Sequence, residues 1–434
     1  MLTKETTTSK VHNKKVVVGY DLGHKFSQLS FYVEGSDEPQ TVSAVMGTEV
    51  YNIPTVLAKR PGIGQWFYGR EAVKYSTEGG ILVDDLLSKA LKGENVLVED
   101  EAFDPVALLT LFVKRSLGML SVHVPMKNIC AFMFTVENLD RRIVEVLSRV
   151  VASLGLNCDT ITYQSHIESL YSFMLHQPEE LWQRKVLIME FNNALKTYKF
   201  ECSHNTTPEV VFIAEEQHND ITFPTSLYSD EDKSRILGLL DDKFVSLFKG
   251  FEDGDDIQTA FLIGDGFKEN WACEFLKILC NKRRVFQGNN LFSKGACFAL
   301  MDKQNPSDLV KKHVYLGENK VKSNVGMKAL RRGEDSYFAI IDAGSNWYET
   351  VADFEIILDS GNEISFVITS LTGGVVIEKP IALDGLPVRP KGTTRLHIHI
   401  EMSAVNVIEV EIEDLGFGQI IKSSGRAWTQ TLNI

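Results

Sequence analysis

The chain has 434 residues, 44% hydrophobic and 24% charged, which is ordinary for a globular protein with room for roughly two to three domains. Its formal net charge of -13 at pH 7 opposes contact with nucleic acid or an anionic membrane surface, because both draw on an excess of Lys and Arg; no nucleic-acid and no membrane partner is expected. The polar opening over 1–10 lacks the apolar run of a signal peptide, and no window approaches the roughly 18 apolar residues of a membrane span, so cytoplasmic residence and a disordered tail over 1–14 are expected.

Residues 16–32 read as a buried strand, a tight turn through Gly23, His24 and Lys25 with Asp21 just before it, and a second strand. Such a hairpin can offer backbone N–H groups to a phosphate while Asp21 holds a water or a Mg²⁺ ion; it can equally be an ordinary hairpin whose Asp and Gly make the turn. Apolar residues at helical spacing predict helices over 104–120, 138–154, closed by Gly155, and 167–175, with strands over 126–135 and 160–163 between them. This βαβα order argues for an α/β layer fold. A second strand pair, 185–190 and 196–202, echoes the first and suggests an internally duplicated α/β body with a cleft between its halves. A helix over 230–251, a strand over 259–263, the turn Gly264-Asp265-Gly266 and a helix over 269–280 complete that body, which is expected to span 15–301.

The polar, Pro-containing stretch 302–313 reads as a linker. Beyond it, strand-length runs over 338–342, 352–358, 363–370, 374–381, 395–402 and 405–413 predict an all-β sandwich of about 100 residues, spanning 314–434. The cysteines at 130, 158, 202, 273, 280 and 297 contain no C-x-x-C pair and are read as reduced core residues without ligand-type His spacing.

The opening hairpin, the turn at Leu262-Ile263-Gly264-Asp265-Gly266 and the segment Asn290-Leu291-Phe292-Ser293-Lys294-Gly295-Ala296-Cys297 stand in an order that resembles the actin-like ATPase superfamily, and within it the seventy-kilodalton heat-shock chaperones. Two later stretches add to the likeness. Ile381-Ala382-Leu383-Asp384-Gly385-Leu386-Pro387-Val388-Arg389-Pro390-Lys391-Gly392 and Glu413-Asp414-Leu415-Gly416-Phe417-Gly418 are similar to the chaperones' substrate-binding sandwich. The likeness runs from about 15 to 420 and rests on collinearity more than on any one motif.

The resemblance implies an ATP or ADP site with Mg²⁺, formed by Asp21, Gly23, His24 and Lys25 at one turn, Glu190, Asn192 and Asn193 at the second, and Gly264, Asp265 and Gly266 beside the base, with Asp21 reaching the metal through water. Several departures argue against hydrolysis. The second turn, Glu190-Phe191-Asn192-Asn193-Ala194-Leu195, carries side chains where the family has bare glycines, and Ser165 stands where the family has a catalytic acid. Lys89 is the nearest counterpart of a water-orienting lysine and also reads as a surface helix residue. Lys25 can favour a phosphate by charge or be a solvated turn lysine, and Asp265 would repel an anionic ligand. The sandwich implies a protein or extended-peptide partner gripped without a helical lid, with Arg389, Lys391, Arg395, His397 and His399 giving local positive charge.

The expected function is therefore a chaperone-like or scaffolding protein with a degenerate nucleotide pocket. A slow ATP-dependent chaperone and an actin-like polymerising protein are the alternatives.

Overall fold

A computed structural model describes residues 14–204, 208–224, 230–252, 256–331, 333–370 and 376–434. The expected tail, save residue 14, lies outside them. With about 29% helix and 41% strand, the chain is a mixed α/β protein with several sheets. It divides into two compact units, Met1–Tyr315 and Leu316–Ile434.

The first unit is built on two six-stranded sheets. In the first sheet, Val16–Leu22 is buried at all seven positions. It runs parallel to Ile129–Val136 and antiparallel to Phe26–Val33. Thr160–Ser165 extends the parallel side and the short Gln40–Thr41 the antiparallel side. Continuous apolar runs such as 16–18 and 129–134 suit strands covered on both faces. In the second sheet Lys185–Phe191 holds the same place, parallel to Ile257–Ile263 and antiparallel to Ala194–Ser203. Arg284–Gln287 and Glu209–Thr222 flank these in turn, so five strands repeat the order and senses of the first sheet. The sixth, His313–Tyr315, adds parallel to the start of Glu209–Thr222.

Two glycines set how closely the helices approach. A Cβ on Gly19 would lie 2.3 Å from the Ser293 carbonyl oxygen, and one on Gly295 only 2.0 Å from that of Ser169. The helix Leu291–Gln304 is thereby pressed against both Val16–Leu22 and the helix His166–Leu175. A capping box starts the latter: Ser165 Oγ accepts from the Glu168 N–H while the Glu168 carboxylate accepts from the Ser165 N–H at 2.9 Å. That start places His166 in the first turn, facing the end of Val16–Leu22.

Four expectations change. Residues 302–313 are not a bare linker: they hold the end of Leu291–Gln304, the helix Asp308–Lys312 and the first residue of a strand in the second sheet. Glu209–Thr222 is absent from the expected elements, because its polar run 215–220 shows no alternation of apolar residues. The helix expected over 269–280 is confined to Cys273–Leu279. Pro105–Val122 is also long and apolar enough by composition to cross a membrane, contrary to the expectation that no window approaches this; half of it is buried inside the protein, where it packs as a core helix.

The second unit consists of two antiparallel four-stranded sheets. Thr394–Ala404 alternates cleanly, burying Leu396, Ile398, Ile400 and Met402, and its neighbour Val407–Gly416 buries Ile408, Val410 and Ile412. These join Val325, Phe366 and Ile368 from the other sheet in one core. Ser323–Arg331 and Ala427–Asn433 are strands beyond those expected. The expected strand 374–381 is described as Val376–Ala382; its first two residues lie outside the described residues.

Candidate functional site

In each six-stranded sheet the central strand carries an acid at the sixth of its seven residues, Asp21 in Val16–Leu22 and Glu190 in Lys185–Phe191. Both line a cavity of about 490 Å³, within the usual range for a small-molecule site. Of the ten site residues expected from sequence, nine line it: Asp21, Gly23, His24, Lys25, Glu190, Asn192, Asn193, Gly264 and Asp265. Gly266 does not. It is buried beneath the second turn, where a Cβ would stand 2.5 Å from the Phe191 ring. Phe191 itself is fully buried among Phe223, Phe244, Phe267 and Trp271, so its side chain leaves the cavity rather than filling it.

Two pairs of charged side chains, Asp21 with His166 and Glu137 with Lys196, meet within the cavity. His166 Nε2 lies 2.8 Å from Asp21 Oδ1, and its ring stacks on Phe292 at 3.9 Å between centroids. Burial works against protonation of His166, but the adjacent Asp21 carboxylate outweighs it and holds the imidazole pKa above its ordinary value. Glu190 accepts hydrogen bonds from the Tyr198 hydroxyl at 2.9 Å and from Asn192 Nδ2 at 3.1 Å, and burial raises its carboxyl pKa despite His166, Tyr198 and Lys196. Lys196 is paired with Glu137 and lies 3.4 Å from Glu215. Burial opposes both charges, yet the pairing prevails: Glu137 is held low and Lys196 high.

A chain of amides crosses the other wall. Gln28 Nε2 donates to Asn52 Oδ1 at 2.6 Å and to the Asn289 carbonyl, and Asn52 Nδ2 donates to the Asp265 carboxylate at 3.1 Å. Lys268 completes the neutralisation of Asp265 at 2.7 Å, so this acid is not the bare negative charge expected. Because Gln28 Nε2 faces two carbonyl oxygens, the amide orientation is fixed and Gln28 Oε1 has no partner among the described residues. His24 turns away toward Ser88 Oγ (2.9 Å) and Asp85 (3.3 Å), tying the first turn to the helix Leu86–Lys92. Lys89 on that helix bonds Asp84 and does not line the cavity.

Sequence reasoning missed Gln28, Asn52, Glu137, His166 and Lys196. The signal at His166 was its place beside Ser165, whose hydroxyl is taken up in capping the helix. The cysteines also differ from expectation: all six are free, but only Cys297 is buried, and Cys273 and Cys280 are exposed. Cys202 stands two residues before His204 and clusters with it and Glu209, a ligand-type spacing contrary to the reading of the sequence. The expected cationic region of the second unit is neutralised pair by pair. Arg389 bonds Asp414, Lys391 lies 3.0 Å from Asp359, Arg395 lies 3.5 Å from Glu355, and His397 and His399 share Asp353.

Residues 38–318 match the family described as Family of unknown function (DUF5716) C-terminal. The chain belongs to that family. Residues 320–434 match the Domain of unknown function (DUF8552), so the boundary between the two matches falls within a few residues of the division between the units of this DUF5716 protein. No curated protein matches the chain.

Proposed function

We propose that the protein is a chaperone-like binding or scaffolding protein, an actin-like ATPase body that does not hydrolyse nucleotide joined to a β-sandwich that holds an extended peptide. Support for the body comes from the two sheets of matching strand order, whose central acids meet at one cavity. Support for the sandwich comes from the two antiparallel sheets that share a core.

The observation that carries the loss of hydrolysis is the 2.8 Å contact between Asp21 and His166. A hydrated Mg²⁺ held through a strand-end carboxylate needs free oxygen lone pairs and an unopposed negative charge. Asp21 is instead matched with a buried imidazole whose protonation it favours. Glu190 is turned to Tyr198 and Asn192 and disfavoured in its ionised form. The residues present do not fit ATP·Mg²⁺. Peptide capture is supported by the edge strand Glu334–Ile341, which has no second strand neighbour among the described residues and where Tyr337 and Phe338 are 50% and 41% exposed.

Two measurements test the reading. Isothermal titration with ATP and Mg²⁺, followed by single-turnover assay, is expected to show no metal-dependent turnover; hydrolysis abolished by Asp21→Asn would overturn the proposal. Fluorescence anisotropy of a labelled apolar peptide is expected to show binding to the full chain that weakens at least tenfold in Phe338→Lys. Equal affinity of the variant would remove this edge from the reading.

A further inference from the structure

The hairpin joining Ala194–Ser203 to Glu209–Thr222 ends near the strand His313–Tyr315, far along the chain, because Glu209 and His313 are register partners in the second sheet. Three side chains with metal-ligating atoms, Cys202, His204 and Glu209, converge there, and a fourth, His313, reaches Glu209 from the neighbouring strand. Cys202 Sγ lies 3.5 Å from Glu209 Oε2, His313 Nε2 lies 3.5 Å from the same oxygen, and His204 Nδ1 is hydrogen-bonded to it. None of these residues lines the cavity described above.

We propose that Cys202, His204, Glu209 and His313 form a zinc site that staples the hairpin to the last strand of the first unit. With Zn–S about 2.3 Å and Zn–N and Zn–O about 2.0–2.1 Å, tetrahedral ligands stand roughly 3.3–3.5 Å apart, which matches both 3.5 Å separations. His204, on the exposed turn, draws back from Glu209 to admit the ion. His313 carries the second feature of a metal ligand: its Nδ1–H donates to the Leu309 carbonyl at 2.7 Å, which fixes the tautomer and leaves the Nε2 lone pair directed at the cluster. The His313 side chain is 6% exposed, so that direction is held by packing, including a T-shaped contact with Trp182.

The donor set selects the metal. One thiolate, two imidazoles and one carboxylate suit Zn²⁺, whereas Mg²⁺ and Ca²⁺ take oxygen ligands alone. On binding, Cys202 releases its thiol proton to solvent, and the thiolate and carboxylate together balance the two charges of the ion. With His313 swung in as the fourth ligand no open coordination position remains, which makes the site structural rather than catalytic.

The test uses the full chain stripped of metal by chelator and titrated with Zn²⁺, with Co²⁺ as a spectroscopic reporter. One zinc per chain is expected, with a rise in the thermal midpoint on loading and a thiolate-to-Co²⁺ charge-transfer band. The band is expected to vanish in Cys202→Ser and persist in Cys130→Ser. His313→Gln is expected to weaken zinc by at least the 10–100-fold that loss of an outer-shell partner alone costs. Should Cys202→Ser fail to fold, His204→Asn on the exposed turn reads the same loss of affinity without touching the core. Absence of stoichiometric zinc, or zinc held equally by Cys202→Ser or His204→Asn, overturns the proposal.

Discussion

In the second unit the buried Asp414 meets Arg389 through two parallel hydrogen bonds of 2.6 Å and accepts two more from the backbone N–H groups of Gly416 and Ser424, so each carboxylate oxygen has two donors. In the first unit, Asp21, Glu137 and Glu190 share a cavity with His24, Lys25, His166 and Lys196, yet Glu190 is hydrogen-bonded only by neutral donors. A carboxylate with every lone pair satisfied acts as a lock, here joining the turn after Gly385 to the exit at Gly416. A buried acid without a directly bonded cation stays sensitive to any change in charge.

The largest effect is expected at the lock. Arg389→Met leaves Asp414, with a side chain 0% exposed, without its cation and is expected to cost about 3–5 kcal/mol in urea unfolding. A loss under ~1 kcal/mol, the scale of an exposed pair, would erase the contrast between the units. A smaller loss, about 1–3 kcal/mol, is expected for Asp21→Asn, because His166 can shed its proton once the carboxylate is gone. Histidine titration by NMR reads this directly: the His166 pKa, held high by Asp21, is expected to fall in the variant. An unchanged value would mean that the 2.8 Å pair does not govern its charge.

The pH dependence sharpens the same comparison. Arg389, with the donors from Ser424 and Gly416, holds Asp414 well below the usual carboxylate range, so its stabilisation is present above about pH 4 and lost as pH falls. Glu137, held low by Lys196, gives the first unit a loss in the same direction. Only the first unit adds a buried histidine held high, whose contribution is complete below about pH 6.5 and is lost as pH rises through its folded pKa. His399 is also raised, but it is paired with Asp353 on an open sheet face, where screening leaves little. Calorimetry between pH 6 and 9 is expected to weaken the transition of the first unit and spare the second; equal weakening of both would contradict the assignment.

The lock and the cavity differ in how far they could be read from sequence. Strand ends, capped helices and the two hairpins follow from local patterns, since Val16, Val17 and Val18 or Gly155 announce their roles within a few residues. Asp414 and Arg389 sit in the two stretches quoted for the likeness to a chaperone sandwich, but their pairing is a contact across 25 positions that no local pattern gives. The cavity is harder still. His166 reaches Asp21 across 145 positions, and Asn52 reaches Asp265 across 213, so the turns were visible while their partners were not. Glu209–Thr222 escaped because a strand with both faces largely wet has no alternation to read.

The smallest expected effect is the most discriminating in sign. Glu190→Gln keeps an acceptor for the Tyr198 hydroxyl and removes a charge that burial disfavours. If burial without a bonded cation governs Glu190, the variant is more stable at pH 8 by on the order of 1 kcal/mol, and the gain shrinks as pH falls toward the range where Glu190 is protonated in the folded state. The substitution gives up the bond from Asn192 Nδ2, but Asn192 Oδ1 still accepts from the Asp265 N–H at 3.1 Å, so the second turn keeps that anchor. A carboxylate needed as an ion would behave in the opposite way: the substitution would destabilise, most strongly at high pH. Urea unfolding at pH 5 and pH 8 separates the two, and a loss at pH 8 would return Glu190 to the role that the hairpin resemblance implies.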